Sequence, residues 1–183
     1  MPFLVNKKLL ICGYQVLCVI SLDAINHNYM KNSVGQKAPN FELEDEEGKT
    51  HTLEHYKGQY LLLYFYPKDM TSGCTVEAQC FRNRMNDFKS FGVQVLGVSC
   101  DDTKSHKKFA EKEKLNFPLL ADVDKKVVNA YGVWVEKSMY GKKYMGIQRD
   151  TFLIDPAEKI VKHYVKVKPE THIEEVLKDL EGL

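Results

Sequence analysis

Three shortages in this sequence of 183 residues each exclude a class of protein. Its five cysteines are too few, and odd in number, for a disulfide-stabilised scaffold, which favours a reducing compartment where one or two thiols do chemistry. Lys and Arg number 26 against 25 Asp and Glu, so little charge is left for binding nucleic acid or an anionic membrane. The apolar run from Leu9 to Leu22 is shorter than the ~20 residues that a membrane-spanning helix needs.

The composition that remains is that of one globular domain. Hydrophobic residues make up 44% of the chain, enough for a substantial core, and this fraction argues against a disordered protein. No repeat, linker or low-complexity stretch interrupts the sequence after residue 33. We therefore expect one domain over 34–183, located in the cytoplasm.

Residues 1–33 differ in pattern from the rest and are predicted to be an N-terminal extension. Lys7 and Lys8 precede the apolar run, as in a signal segment over 1–21 that would make the protein exported or organelle-targeted. Met30 begins a more usual N-terminus, so a misassigned start is a second interpretation. A structural N-terminal helix is the third, and the sequence leaves all three open.

Alternating strand and helix patterns predict an α/β fold with a mixed sheet. Alternation around the turn at Gly48 predicts an N-terminal hairpin over 41–53, and the apolar run 59–66, ended by Pro67, predicts a central strand buried on both faces. Further strands are predicted over 93–99, 151–154 and 159–167, and helices over 75–91, 105–115 and 170–180. This order matches the thioredoxin-like fold, a central mixed sheet flanked by helices.

One cysteine is placed where a thiol becomes reactive. Cys74 follows the central strand in the first turn of a predicted helix, where free backbone N–H groups and the helix dipole favour a thiolate. Gly73 allows the backbone to approach closely, and the Thr71 hydroxyl can hold an incoming oxygen atom. Pro67 ends the strand and can shield one side of the sulfur.

These residues resemble a known family. Pro67, Thr71 and Cys74 form the Pro-x-x-x-Thr-x-x-Cys signature of peroxiredoxins. The segments 72–77 and 137–147, the second leading into Arg149, are similar to the bacterioferritin-comigratory (Q-type) branch of that family.

The resemblance implies a thiol peroxidase with an antioxidant role that reduces hydrogen peroxide and organic hydroperoxides. Cys74 would be the peroxidatic cysteine, passing through a sulfenic acid, and Pro67, Thr71 and Arg149 would complete its pocket. Thioredoxin or another dithiol would supply the electrons. The family binds no metal, haem or flavin and tends towards monomers. The balanced charge of the chain makes neither nucleic acid nor a membrane an expected partner.

The thiol that resolves the sulfenic acid is left open by the sequence. Two-cysteine members of this branch commonly carry the resolving cysteine five residues after the peroxidatic one, where this chain has Gln79. Cys80 lies six residues on, a helical rise of about 9 Å that exceeds the ~7 Å limit between Cα atoms of a disulfide. Cys100 would share a sheet edge with Cys74 if the two preceding strands are parallel. A one-cysteine cycle that uses an external thiol is the third alternative.

Other polar residues receive weaker assignments. Glu77 either orients Arg149 or only favours the start of the helix. The negative charge of Asp150 is expected to weaken the positive electrostatic potential of Arg149. The sequence shows no partner pattern for three histidines that we expect to be solvated: His106, His163 and His172. Three further residues are expected in the core or pocket wall: Trp134, Met139 and Tyr140.

Two other functions compete with the peroxidase. A thiol redox sensor or a holdase-like binding protein could use the same fold, with oxidation of Cys74 changing the affinity for a partner. A disulfide oxidoreductase normally needs a Cys-x-x-Cys pair, which this sequence lacks.

Overall fold

The computed structural model describes residues 33–139 and 141–182, so the extension with Cys12 and Cys18, and Tyr140, lie outside the described residues. The strands of the described part are β1 (Glu42–Glu44), β2 (Thr50–Thr52), β3 (Tyr60–Phe65), β4 (Val93–Ser99), β5 (Leu119–Ala121), β6 (Trp134–Met139), β7 (Lys142–Ile147), β8 (Thr151–Ile154) and β9 (Ile160–Tyr164). Its α-helices are α1 (Ser72–Ser90), α2 (Thr103–Glu113), α3 (Lys126–Ala130) and α4 (His172–Leu180), and a short 3-10 helix spans Leu53–Tyr56.

A mixed sheet of five strands, in the order β5-β4-β3-β8-β9, forms the centre of the described part. β3, β4 and β5 run parallel, whereas β8 is antiparallel to β3 and β9 is antiparallel to β8. The predicted α/β architecture with a mixed sheet flanked by helices is confirmed. The predicted N-terminal hairpin is β1 paired with β2.

Strand β3 is buried on both faces, as its continuous apolar sequence predicts. Leu62 and Tyr64 point to one side and pack with α1, α2 and α4. Leu61 and Leu63 point to the other side and pack with α3. Alternate side chains of one strand therefore join two separate apolar clusters.

The sequence did not predict the 3-10 helix or four further elements: β5, α3 and the two strands of the β6–β7 hairpin. β5 and α3 are three and five residues long, too short to show a clear period. The hairpin carries many charged residues and its strands are largely exposed, so it lacks the apolar alternation of a half-buried strand. Among residues 33–139 and 141–182, no helix combines the length and apolarity that crossing a bilayer needs.

Several burial expectations were wrong. His106 and His172 are fully buried, and His163 is half-buried, because each finds a hydrogen-bond partner distant in the sequence. Met139 is exposed near the end of the β6–β7 hairpin, whereas Trp134 is half-buried against the core as expected.

Candidate active site

Cys74 lies in the first turn of α1, which begins three residues earlier than predicted. Its N-cap, Thr71, is extended, and the Thr71 carbonyl accepts a hydrogen bond from Thr75 N at 2.9 Å. The Cys74 side chain is buried and belongs to the apolar cluster that also includes Tyr66 and Ala78. The sulfur therefore sits at the positive end of a 19-residue helix, with most water excluded.

Sheet register brings Arg149 to this sulfur from 75 residues away. Tyr64 pairs with Thr151 across the antiparallel β3 and β8, so Arg149, two residues before Thr151, reaches the carboxyl end of β3. There Nη2 of Arg149 donates to Sγ of Cys74 at 3.2 Å. Because a guanidinium can only donate, the sulfur is the acceptor in this hydrogen bond.

A buried carboxylate holds the other side of the guanidinium. Nη1 of Arg149 donates to Oε2 of Glu77, whose side chain has no exposed surface. The second oxygen, Oε1, has no hydrogen-bond partner among the described residues. Burial raises the pKa of Glu77 to about 7, although the charge and hydrogen bond of Arg149 act to lower it. Of the two sequence interpretations of Glu77, the contact with Arg149 is the one observed.

The raised pKa of Glu77 determines whether the stability of the fold rises or falls with pH. The folded state holds the Glu77 proton up to about pH 7, whereas an unfolded glutamate loses it near 4.5, so folding is favoured less as pH rises between these values. We expect the unfolding free energy of the wild type, minus that of Glu77→Gln, to fall by up to about 3 kcal/mol over this range. Urea titrations of both proteins at several pH values measure it, and a constant or rising difference would contradict the assignment.

The other residues singled out in the sequence around Cys74 are Pro67, Thr71 and Gly73. Thr71 Oγ donates a hydrogen bond to the carbonyl of Lys68 at 3.0 Å. The lone pairs of the Thr71 hydroxyl are therefore free to accept a hydrogen bond. A Cβ atom on Gly73 would lie 3.5 Å from Nη2 of Arg149, so the backbone lies next to the guanidinium. Pro67 is exposed directly after β3.

The three described cysteines are free, and the other two are poorly placed to reach Cys74. Cys80 is half-buried in the same continuous helix, and burial, with a smaller contribution from Glu77, raises its pKa. β3 and β4 are parallel, as the Cys100 alternative requires. Cys100 nevertheless packs against the cluster on the opposite face of the sheet from Cys74. Burial, together with the charge of Asp122, raises the pKa of Cys100 to about 12.

Two charged residues near Arg149 have partners that the sequence did not reveal. Lys137, on β6, is half-buried and donates its Nζ to the carbonyl of Ile147, and burial and the charge of Arg149 lower its pKa. Asp150 is buried and binds His163 at 2.9 Å and the backbone N–H of Lys166 at 2.8 Å. Its carboxylate therefore fixes the segment that follows β9, a role different from the expected effect on Arg149.

No group of three His, Cys, Asp or Glu side chains in the described part is arranged to hold a metal ion. His51 binds Asp45 at 2.8 Å. His55 accepts from the backbone N–H of Thr52. Both imidazoles are thus used in fixing the N-terminal hairpin.

Comparison with known sequences gives a consistent set of relatives. Residues 34–163 match the model of the AhpC/TSA family. Peroxiredoxin Bcp of Bacillus subtilis is 46% identical over 154 residues, which cover 84% of this chain and 98% of that protein. Peroxiredoxin Bcp of Escherichia coli K12 is 48% identical over 143 residues, covering 78% and 92% respectively.

Solved structures agree with the sequence relatives. The bacterioferritin comigratory protein of Xanthomonas campestris superposes with a TM-score of 0.74 at 36% identity, covering 90% of this chain and 97% of that one. That protein was solved as trapped intermediate and ligand complexes in a study of its alkyl peroxide reduction activity. A peroxiredoxin Q variant of Xylella fastidiosa gives a TM-score of 0.78 at 39% identity, covering 81% and 95% respectively.

Proposed function

This chain belongs to the AhpC/TSA family, among the Bcp (Q-type) peroxiredoxins, and is a thiol peroxidase; we propose that Cys74 is the sulfur that attacks the peroxide. The observation that carries this proposal is the 3.2 Å hydrogen bond from Arg149 to Sγ of Cys74 at the start of α1. Helix dipole and guanidinium act together on one buried sulfur.

The chemical step follows from this geometry. The Cys74 thiolate attacks the terminal oxygen of a hydroperoxide, an S–O bond forms, and the O–O bond breaks. Sulfur loses two electrons and becomes a sulfenic acid, while the departing alkoxide or hydroxide gains them and takes a proton from solvent. Arg149 faces the developing negative charge, and the free lone pairs of Thr71 can accept the peroxide O–H.

Positioned donors, more than ionisation of the thiol, account for the rate. For any thiol, lowering the pKa from about 8.5 to about 6 raises the thiolate fraction at pH 7 about 30-fold. Nucleophilicity falls with a Brønsted slope of roughly 0.4–0.5, which removes about 13-fold of that gain. The remaining gain is about two- to threefold, so orientation of the peroxide by Arg149, Thr71 and the backbone N–H groups supplies the larger part.

An organic substituent on the peroxide has space beside this site. A cavity of about 440 Å³ borders Arg149 between the β6–β7 hairpin and the segment after β9. Its wall includes the apolar side chains of Val135 and Val167 and the ring of Tyr144. We therefore propose that alkyl hydroperoxides are substrates along with hydrogen peroxide.

We propose a one-cysteine cycle in which an external dithiol of the thioredoxin class reduces the sulfenic acid. Both internal candidates have raised pKa values, so few of their thiols are ionised at neutral pH. Cys80 could reach Cys74 only if the first turns of α1 unwound, and Cys100 lies on the other face of the sheet. An external thiol attacks the sulfur, water leaves, and the second thiol of the dithiol releases Cys74.

Peroxide-dependent NADPH consumption with thioredoxin and its reductase tests this cycle. We expect Cys80→Ser and Cys100→Ser to turn over at rates within about twofold of the wild type, because neither thiol enters the cycle. Each variant serves as the control for the other. If Cys80→Ser stops after one peroxide per protein, Cys80 resolves the sulfenic acid and the one-cysteine cycle is wrong.

The remaining expectations stay predictions. We propose a monomeric protein of the cytoplasm, as the resemblance to the family implies. The family match begins at residue 34, which is consistent with a domain over 34–183. Mass measurement of the N-terminus and size-exclusion chromatography with light scattering test the start site and the monomer.

A further inference from the structure

A buried polar cluster that the reaction does not use lies next to the loop that carries the signature. Asp69, between Pro67 and Thr71, is buried and accepts three hydrogen bonds. Their donors are the hydroxyls of Tyr66, at 2.8 Å, and Ser105, at 2.7 Å, and Nδ1 of His106, at 2.9 Å. His106 has no exposed side-chain surface and lies on α2, 37 residues further along the chain.

Both ring nitrogens of His106 lie within hydrogen-bond distance of a partner. Nε2 faces the carbonyl oxygen of Leu120 at 3.2 Å, and a carbonyl can only accept. Nδ1 faces the Asp69 carboxylate at 2.9 Å and the Tyr66 hydroxyl at 3.4 Å. His106 therefore connects the Asp69 carboxylate, on one side of its ring, to the backbone of Leu120 on the other. Burial alone would raise the pKa of Asp69, but the hydrogen bond and charge of His106 hold it below its usual value.

This pair holds a loop whose backbone is otherwise strained. Met70, the residue after Asp69, has a φ of 56°, in the left-handed region that residues other than glycine rarely adopt. Asp69 N also donates to the carboxylate of Asp101 at 2.8 Å, so the loop is tied to the end of β4 as well as to α2. Thr71, which caps α1, comes directly after this strained residue.

We propose that His106 is a positioning residue for peroxide reduction, which acts through Asp69 to fix the loop from Pro67 to Thr71 over the sulfur of Cys74. The inference rests on the proposed function of Cys74. Without the hydrogen bond between His106 and Asp69, the loop loses a buried anchor and Thr71 moves relative to the sulfur. A displacement of about 1 Å in such an arrangement can cost about 100-fold in rate.

Two variants of His106 separate the bond to Asp69 from the bond to Leu120. His106→Asn keeps an N–H donor at the position of Nδ1, facing Asp69, whereas His106→Gln keeps one at the position of Nε2, facing Leu120. The rate constant for oxidation of reduced protein by hydrogen peroxide is measured for each. The rate of Cys74 alkylation by iodoacetamide, followed by mass spectrometry of its peptide, is the control, because alkylation needs the thiolate and not Thr71.

We expect His106→Gln to lose about 10- to 100-fold in the peroxide rate constant while its alkylation rate changes by less than about threefold. His106→Asn should stay within about fivefold of the wild type in both. Equal losses in the two rates, or a wild-type peroxide rate in His106→Gln, would overturn the inference.

A measurement on the unaltered protein keeps the inference testable if His106→Gln does not fold. Nitrogen-15 NMR should show that Nδ1 of His106, which faces Asp69, carries a proton, and an unprotonated Nδ1 would overturn the inference. The wild-type rate separates this inference from the proposed function. An inactive wild type overturns both, whereas an active wild type with an unaffected His106→Gln overturns only the role of His106.

Discussion

Cys74→Ser is expected to reduce peroxide turnover by at least about 1,000-fold, because a serine hydroxyl in the same place stays un-ionised at neutral pH and is a poor nucleophile. The substitution preserves the volume of the buried site beneath α1, so the fold should persist. The coupled assay with thioredoxin, its reductase and NADPH measures the loss. Circular dichroism confirms that the variant is folded.

Cys100→Ser is the matched control for this experiment, since it removes a thiol from the opposite face of the sheet. Its turnover should equal that of the wild type. If Cys74→Ser keeps more than about one tenth of the wild-type activity, far more than the expected residue of about one thousandth, another thiol attacks the peroxide.

Arg149→Met is expected to slow peroxide reduction by about 100- to 1,000-fold, or about 3–4 kcal/mol of transition-state stabilisation. Methionine fills much of the space of the arginine stem, but it donates no hydrogen bond to Sγ of Cys74 or to the peroxide oxygens. Glu77 loses its partner as well, and its carboxyl, whose pKa is already raised to about 7, can take up a proton and remain buried. Stopped-flow measurement of the second-order rate constant with hydrogen peroxide gives the effect.

Arg149→Lys separates charge from geometry in this prediction. Lysine keeps the positive charge but cannot hold Glu77 and the sulfur with the two arms of one planar group. We expect it to recover less than about one tenth of the wild-type rate constant. If Arg149→Met reacts with peroxide as fast as the wild type, the guanidinium has no part in the reaction.

Features of the chain that depend on local pattern were predictable. The run 59–66 ended by Pro67 predicted β3, and the apolar stretch 93–99 predicted β4, because buried parallel strands read as continuous apolar sequence. The position of Cys74 after such a strand predicted a helix start with a reactive thiol. The contact of Arg149 with Cys74 was expected from the family resemblance alone, since 75 residues separate them.

Features that depend on long-range partners were not predictable. His106 shows no pattern near it in the sequence, and its burial follows only when α2 is packed near the end of β3, beside Asp69. Met139 is apolar but lies at the exposed end of the β6–β7 hairpin, because the hairpin projects from the sheet instead of joining it. In both cases the tertiary arrangement, which sequence spacing does not encode, decides the environment of the side chain.

Trapping the first oxidation product tests the central claim most directly. Reduced protein is mixed with one equivalent of hydrogen peroxide in the presence of dimedone, and the site of the adduct is determined by peptide mass spectrometry. A thiolate held by Arg149 at the start of α1 should place the sulfenic-acid adduct on Cys74 in the wild type, with much slower labelling in Arg149→Met. An adduct that forms first on Cys80 or Cys100, or that forms equally fast without the guanidinium, would contradict the account.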